Sequence, residues 1–254
     1  KIKFTCIMLI VITIILSSAC APKTSGPKSS KVYIENSYRA IHDLKDKRDS
    51  KALESFLMDS EPVLRLTAFE AMASIQDTLA VASLLNGLQD RDSKVRLAAA
   101  YAIGQTARIL SSPDPKISVR IINAVSKESD PAVVSELLKS LGKSADDTGL
   151  KFLSSYSTVD PDVMEGIAWG IYRAGLDGKS NSGLTRRAKM ILEGKYSMSA
   201  RLAAAQFFAR TEDLDFDMHS NLFLDIAKNE KRPLCQDTGL AVFFVNVGAD
   251  CKII

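Results

Sequence analysis

Residues of catalytic type fall in a few short groups in this 254-residue sequence, and each group can be tested against a known chemistry. Gly175-Leu-Asp-Gly-Lys-Ser180 ends like a loop that cradles phosphate. Such a loop needs a glycine five residues before the glycine of Gly-Lys-Ser. Arg173 stands there instead, and no buried strand precedes it. Gly178-Lys-Ser-Asn-Ser-Gly183 misses by one residue the spacing of the sharp turn that exposes a nucleophilic serine. The acidic run Glu212-Asp-Leu-Asp-Phe-Asp217 lacks the glycine and the terminal glutamate of a calcium loop, and its carboxylates suit a helix N-terminus. His42 and His219 are far apart, and Cys6, Cys20, Cys235 and Cys251 have no metal-ligand spacing. Cys235 and Cys251 are read either as a disulfide in an oxidising compartment or as two unpaired thiols. These residues supply no catalytic constellation, no metal site and no cofactor site, so the expectation is a non-enzymatic protein.

The residues that could bind rather than react are set out by a repeat. The stretch Asp92-Ser-Lys-Val-Arg-Leu-Ala-Ala-Ala-Tyr-Ala-Ile-Gly104 reads as a capped helix with Val95, Ala99 and Ile103 on one face. Shifted back by 31 residues it falls on Glu61–Ser74; shifted forward by 38, 68 and 105 it falls on Asp130–Lys143, Asp160–Arg173 and Ser197–Arg210. The first core position is Leu64, Val95, Val133, Val163 or Ala200; the second is Ala68, Ala99, Leu137, Ile167 or Ala204; the third is Met72, Ile103, Leu141, Ile171 or Phe208. All are apolar. A helical repeat of this period predicts an all-α solenoid, in which each unit buries its greasy face only against its neighbours.

Partner helices are expected near 50–57, 79–88, 117–127, 148–154 and 184–192, with Pro62, Pro131 and Pro161 at helix starts where the missing amide costs nothing. Val32–Asp46 is the expected capping helix. A sixth unit is expected through Phe216–Lys228, followed by the apolar run Leu240–Val247.

If the core positions point inward, two stripes about 100–200 degrees round the second helices face a groove. One is Glu70, Tyr101, Lys139, Trp169 and Gln206; the other is Ser74, Gln105, Lys143, Arg173 and Arg210. Aromatic and arginine side chains commonly anchor interfaces. Tyr101, Lys139, Trp169 and Arg173 are therefore the candidate surface for a protein or peptide partner. The alternative for Trp169 is simple packing against Tyr172 and the adjacent repeat.

The five copies resemble HEAT repeats, particularly the short bacterial form of phycobilisome-lyase-like proteins. The resemblance implies a right-handed superhelix of about six antiparallel helix pairs and a scaffolding role. It also implies a ladder of hydrogen bonds between repeats, carried here by Arg65, Arg96 and Arg201 and interrupted at Val134 and Met164. The run Gly166-Ile-Ala-Trp-Gly-Ile-Tyr-Arg-Ala-Gly175 is similar to a segment of bacterial lipoproteins that join such repeats to a cyclophilin-type peptidyl-prolyl isomerase domain. That likeness implies, as the alternative function, an accessory or truncated N-terminal region of such an isomerase, acting on envelope protein folding.

Residues 1–19 have the parts of a signal peptide: Lys1 and Lys3, an apolar run from Phe4 to Leu16, then Ser17, Ser18 and Ala19. The run is too short to span a bilayer comfortably. Leu16-Ser-Ser-Ala-Cys20 resembles the lipobox of bacterial lipoproteins, which implies acylation of Cys20 and a membrane tether. Residues 20–31 then read as a flexible linker and 32–254 as the solenoid. No early acid follows Cys20, so the expected location is the cell envelope, at the outer membrane facing the periplasm. Without residues 1–19 the chain carries 31 basic and 30 acidic residues. That balance argues against nucleic acid as a partner.

Overall fold

The computed structural model describes residues 31–144 and 146–211. The chain divides into two units, residues 1–36 and 37–254, and the packing below is that of the second. Eleven α-helices make up most of the described residues, which contain no strand. They are α1 (Lys31–Asp46), α2 (Ser50–Leu53), α3 (Pro62–Ile75), α4 (Val81–Asn86), α5 (Ser93–Ala107) and α6 (Pro115–Val125), then α7 (Pro131–Ser144), α8 (Asp147–Ser155), α9 (Pro161–Leu176), α10 (Ser182–Glu193) and α11 (Met198–Arg210).

Five antiparallel pairs form two layers. The second helices stack in the order α3, α5, α7, α9, α11, each packed on the next. The first helices form the other layer, with α6 on α8 and α8 on α10. This is the all-α solenoid of stacked helix pairs that the repeat predicts. All fifteen core positions are buried, none more than 5% exposed. Burying each valine, leucine, isoleucine, methionine or phenylalanine among them contributes about 1.5–3 kcal/mol, and no single pair could supply the covering surface alone.

The helix starts follow local chemistry. Pro62, Pro131 and Pro161 open α3, α7 and α9, and Pro115 opens α6. Asp92 accepts from the Lys94 amide, Asp160 from the Asp162 and Val163 amides, and Asp146 from the Gly149 amide. Each satisfies a donor that the helix leaves unpaired.

Two expectations are modified. The first helices of the first two pairs are broken: α2 runs into a 3-10 turn at Glu54–Met58, and α4 is flanked by 3-10 turns at Thr78–Ala80 and Gly87–Gln89. A Cβ at Gly87 would stand 2.7 Å from Ala99 Cβ and overlap the Phe69 ring, so the glycine lets this turn close down on α3 and α5. In α1, Ser37 and Ile41 are buried but Tyr38 is exposed, so its inward face is narrower than its apolar pattern suggests. No helix among the described residues is long and apolar enough to cross a membrane. The expected signal peptide, Cys20, nearly all of the linker, the sixth unit, His219, Cys235 and Cys251 lie outside the described residues.

The seams between second helices differ in closeness. At α7–α9 a Cβ on Gly142 would lie 2.7 Å from Gly170 Cα and closer still to the Gly170 carbonyl, so backbone meets backbone. At α5–α7 a Cβ on Gly104 would lie 2.8 Å from Ser140 Cβ and 3.0 Å from Lys143 Cδ. Ser140 Oγ donates to the Ala100 carbonyl across the same seam at 2.7 Å. These close seams bring the site residues of three helices together.

Candidate functional site

Tyr101 on α5, Glu136, Lys139 and Lys143 on α7, and Trp169 and Arg173 on α9 line one cleft of about 230 Å³. The four candidate residues Tyr101, Lys139, Trp169 and Arg173 thus converge, although they span 73 positions of sequence. Residues four apart on a helix share a face, so α7 and α9 each present their pair to the same opening. Arg210, Ser74 and Glu70 from the same stripes do not line it; they are exposed elsewhere on α11 and α3.

Lys143 departs from its expected place. It is only 7% exposed, because its stem lies across Gly104 and its Nζ sits 4.8 Å from the centre of the Tyr101 ring. Burial holds its ammonium below the ordinary lysine value of 10.5, and the charges of Arg173, Lys139 and Arg108 press the same way. Only Glu136 opposes them. Its carboxylate is divided between Lys139 at 3.4 Å and Lys143 at 3.9 Å. Glu136 is the lining residue that inspection of stripes missed; its spacing of three and seven from the two lysines was the available signal.

The aromatic residues are held from behind. Gln105 donates to the Tyr101 hydroxyl at 2.6 Å. The Trp169 indole N–H donates to Ser199 Oγ at 2.9 Å, and that hydroxyl donates to Glu165 at 2.8 Å. Trp169 meets Tyr172 edge-on at 5.4 Å, and Arg173 lies over Tyr172 at 5.5 Å. Trp169 packs against its neighbours and, half-buried, keeps a face on the cleft.

Two larger clefts, of about 740 and 570 Å³, open beside Arg65 and Arg96. Arg65 donates to both oxygens of Asp90, at 2.7 and 2.8 Å, and to the carbonyls of Asp59 and Ser60. Arg96 makes the same paired contact with Glu128, at 2.6 and 2.9 Å. Each carboxylate also accepts amides of its own loop, Asp90 from Asp92 and Glu128 from Ser129 and Asp130. Arg201 Nε donates to the Leu192 carbonyl at 3.1 Å. Where Met164 replaces the arginine, Arg187 of α10 reaches in, donating to the Tyr156 carbonyl at 2.9 Å. Arg65 and Arg96 are thus each matched by a carboxylate at hydrogen-bond distance, although Arg120 and Lys127 also line the cleft beside Arg96, whereas in the smaller cleft one carboxylate is shared between two lysines.

Among the described residues no group of three or more histidine, cysteine, aspartate or glutamate side chains could hold a metal ion. Residues 50–116 match a family model described as HEAT repeats, which covers the first two helix pairs. Residues 203–254 match a family model described as Fumarate hydratase (Fumerase), a short fragment that begins within α11. No curated protein matches the chain. The first match shows α2 to α5 to be similar to HEAT repeats, and α6 to α11 continue the same helix-on-helix packing. Repeats of this kind serve as helical scaffolds and bind proteins.

Proposed function

We propose that this chain is a protein-binding HEAT scaffold of the bacterial cell envelope, held to the membrane by acylation of Cys20, and that its partner docks on the cleft between α5, α7 and α9. The carrying observation is the convergence of Tyr101, Lys139, Lys143, Trp169 and Arg173, from three successive repeats, on one opening. Rigid aromatic side chains offer contact area at little entropic cost, and the cations beside them supply orientation. The membrane tether is supported by the signal-like residues 1–19 and the lipobox-like run ending at Cys20. An acyl chain contributes about 0.8 kcal/mol per buried methylene, so several chains give a durable anchor.

A photo-crosslinking amino acid placed at Gln105 or Arg173 in intact cells tests the docking surface. One protein band should be captured there, and a crosslinker at exposed Glu70 on α3 should not capture it. Equal capture at both positions counts against the cleft. Metabolic labelling with an alkyne fatty acid should mark the wild-type chain and not Cys20→Ser; an unlabelled wild type removes the tether.

A further inference from the structure

The cleft is built for one kind of ligand group. Its lining carries three cations, Lys139, Lys143 and Arg173, and one carboxylate, Glu136. Arg108 adds a fourth cation nearby, itself paired with Asp177 at 3.7 Å. The whole chain has a formal charge of only +3 across 63 charged residues, so this excess is local.

The decisive residue is Lys143. A buried ammonium normally holds a full set of hydrogen bonds to anions or carbonyls. Here the Glu136 carboxylate stands 3.9 Å from Nζ, beyond hydrogen-bond reach, and Lys139 competes for it from 3.4 Å. Meanwhile the Tyr101 ring and the space over Gly104 fix where that ammonium points. A cation fixed in position at the cleft, whose one carboxylate is shared and beyond hydrogen-bond reach, is a preorganised carboxylate receptor.

We infer that the α5–α7–α9 cleft recognises an acidic segment of a partner protein, seating one aspartate or glutamate side chain against Lys143 and Lys139. The inference rests on the protein-binding reading above and specifies its chemistry. Adjacent packed helices lie about 8–10 Å apart, and an extended chain rises about 3.3 Å per residue. A segment crossing from α7 to α9 therefore places an apolar or aromatic residue on Trp169 about three positions from its acid.

The test uses the full chain and two fluorescein-labelled dodecapeptides with one phenylalanine three residues from an acidic pair, aspartates in one and asparagines in the other. Trp169 is the chain's one tryptophan, so its emission reports occupancy at the site directly. The aspartate peptide should bind at least tenfold more tightly at low salt, with the preference fading as salt rises. Lys143→Met should bring the two affinities within about twofold. Lys139→Gln, at a more exposed position, should cost about threefold and guards against a folding defect in the first variant.

Equal affinity for both peptides, no binding of either, or a preference unchanged in Lys143→Met overturns the inference. So does tighter capture by phosphatidylglycerol vesicles than by the peptide, lost in Lys143→Met, which would assign the site to a membrane. A rise in peptide affinity when Glu212→Gln, Asp213→Asn, Asp215→Asn and Asp217→Asn are combined would make the chain's own acidic run the occupant. If acid preference fails but both peptides still shift Trp169 emission, the protein-binding reading stands alone. If neither peptide binds and no crosslink forms from Gln105 or Arg173, that reading falls too.

Discussion

Gly142→Ala tests whether the cleft depends on the closeness of α7 to α9. Taken as an isolated helix position the change is favourable, since alanine exceeds glycine by about 1 kcal/mol in a helix interior. The seam reverses that. The added Cβ would lie 2.7 Å from Gly170 Cα and nearer still to the Gly170 carbonyl, whereas carbon atoms pack at about 3.5–4.0 Å. No rotating side chain can yield, so α9 must withdraw by about 1 Å. Over-packing of this kind typically costs 1–3 kcal/mol, and contact between two backbones belongs at the top of that range. The net loss is about 2 kcal/mol, or a fall of about 4–8 °C in Tm for a domain of this size. Trp169 and Arg173 ride on α9, so affinity for the acidic peptide should fall with stability. Melting is followed by far-UV circular dichroism and by Trp169 emission, which should move first because stacked repeats loosen locally. Gly170→Ala meets the Leu138 carbonyl across the same seam. The double variant should cost less than the two single losses together, because a seam once opened accommodates both methyls. A Tm for Gly142→Ala at or above that of the wild type refutes the reasoning.

Arg65→Met strips Asp90 of its partner in a nearly buried pair and should cost about 3 kcal/mol in urea unfolding; a loss under about 0.5 kcal/mol contradicts it. Burial pushes the Asp90 carboxyl up, but hydrogen bonds from Arg65 and the Asp92 amide, with the Arg65 charge, outweigh it and hold it below its ordinary 3.8. The hydrogen bond from Arg96 likewise holds Glu128 below 4.5, against a smaller opposing effect of burial. Their stabilisation is therefore complete above the ordinary carboxylate range and is lost as pH falls through the lowered folded-state values, so Tm should drop there and Arg65→Met should flatten the drop. Lys143→Met should stabilise the free chain by about 1 kcal/mol while weakening peptide binding, because a buried, poorly paired ammonium opposes folding. Since that ammonium titrates below the ordinary lysine value in the folded state, wild-type stability should rise with pH between its lowered value and 10.5, a rise absent from Lys143→Met. Ser199→Ala removes the acceptor of the Trp169 indole and should cost about 1 kcal/mol and shift Trp169 emission; an unchanged spectrum contradicts the contact.

What the sequence made legible, and what it hid, divides along one physical line. The inward side of each second helix follows from period alone, because any residue four positions along returns to the same face, so Val95, Ala99 and Ile103 and their counterparts could be placed without coordinates. The same rule put Tyr101, Lys139, Trp169 and Arg173 on a common side. Depth does not follow from period. Whether Lys143 stands in water or lies down depends on how near α5 comes to α7, and that is set by Gly104, whose missing side chain leaves room for the lysine stem. Ladder partners were hidden for a related reason. The carboxylate opposite Arg96 is Glu128, set in the loop between α6 and α7. The arginine serving the Met164 repeat is Arg187, which arrives from the first helix of the next pair. Both are contacts between repeats, whereas alignment of the repeats compares a position only with its own equivalents. It follows that the residues giving this scaffold its selectivity are best sought where equivalent positions break the pattern: a glycine under a lysine, or a glutamate between two cations, at a seam that the repeat by itself leaves undetermined.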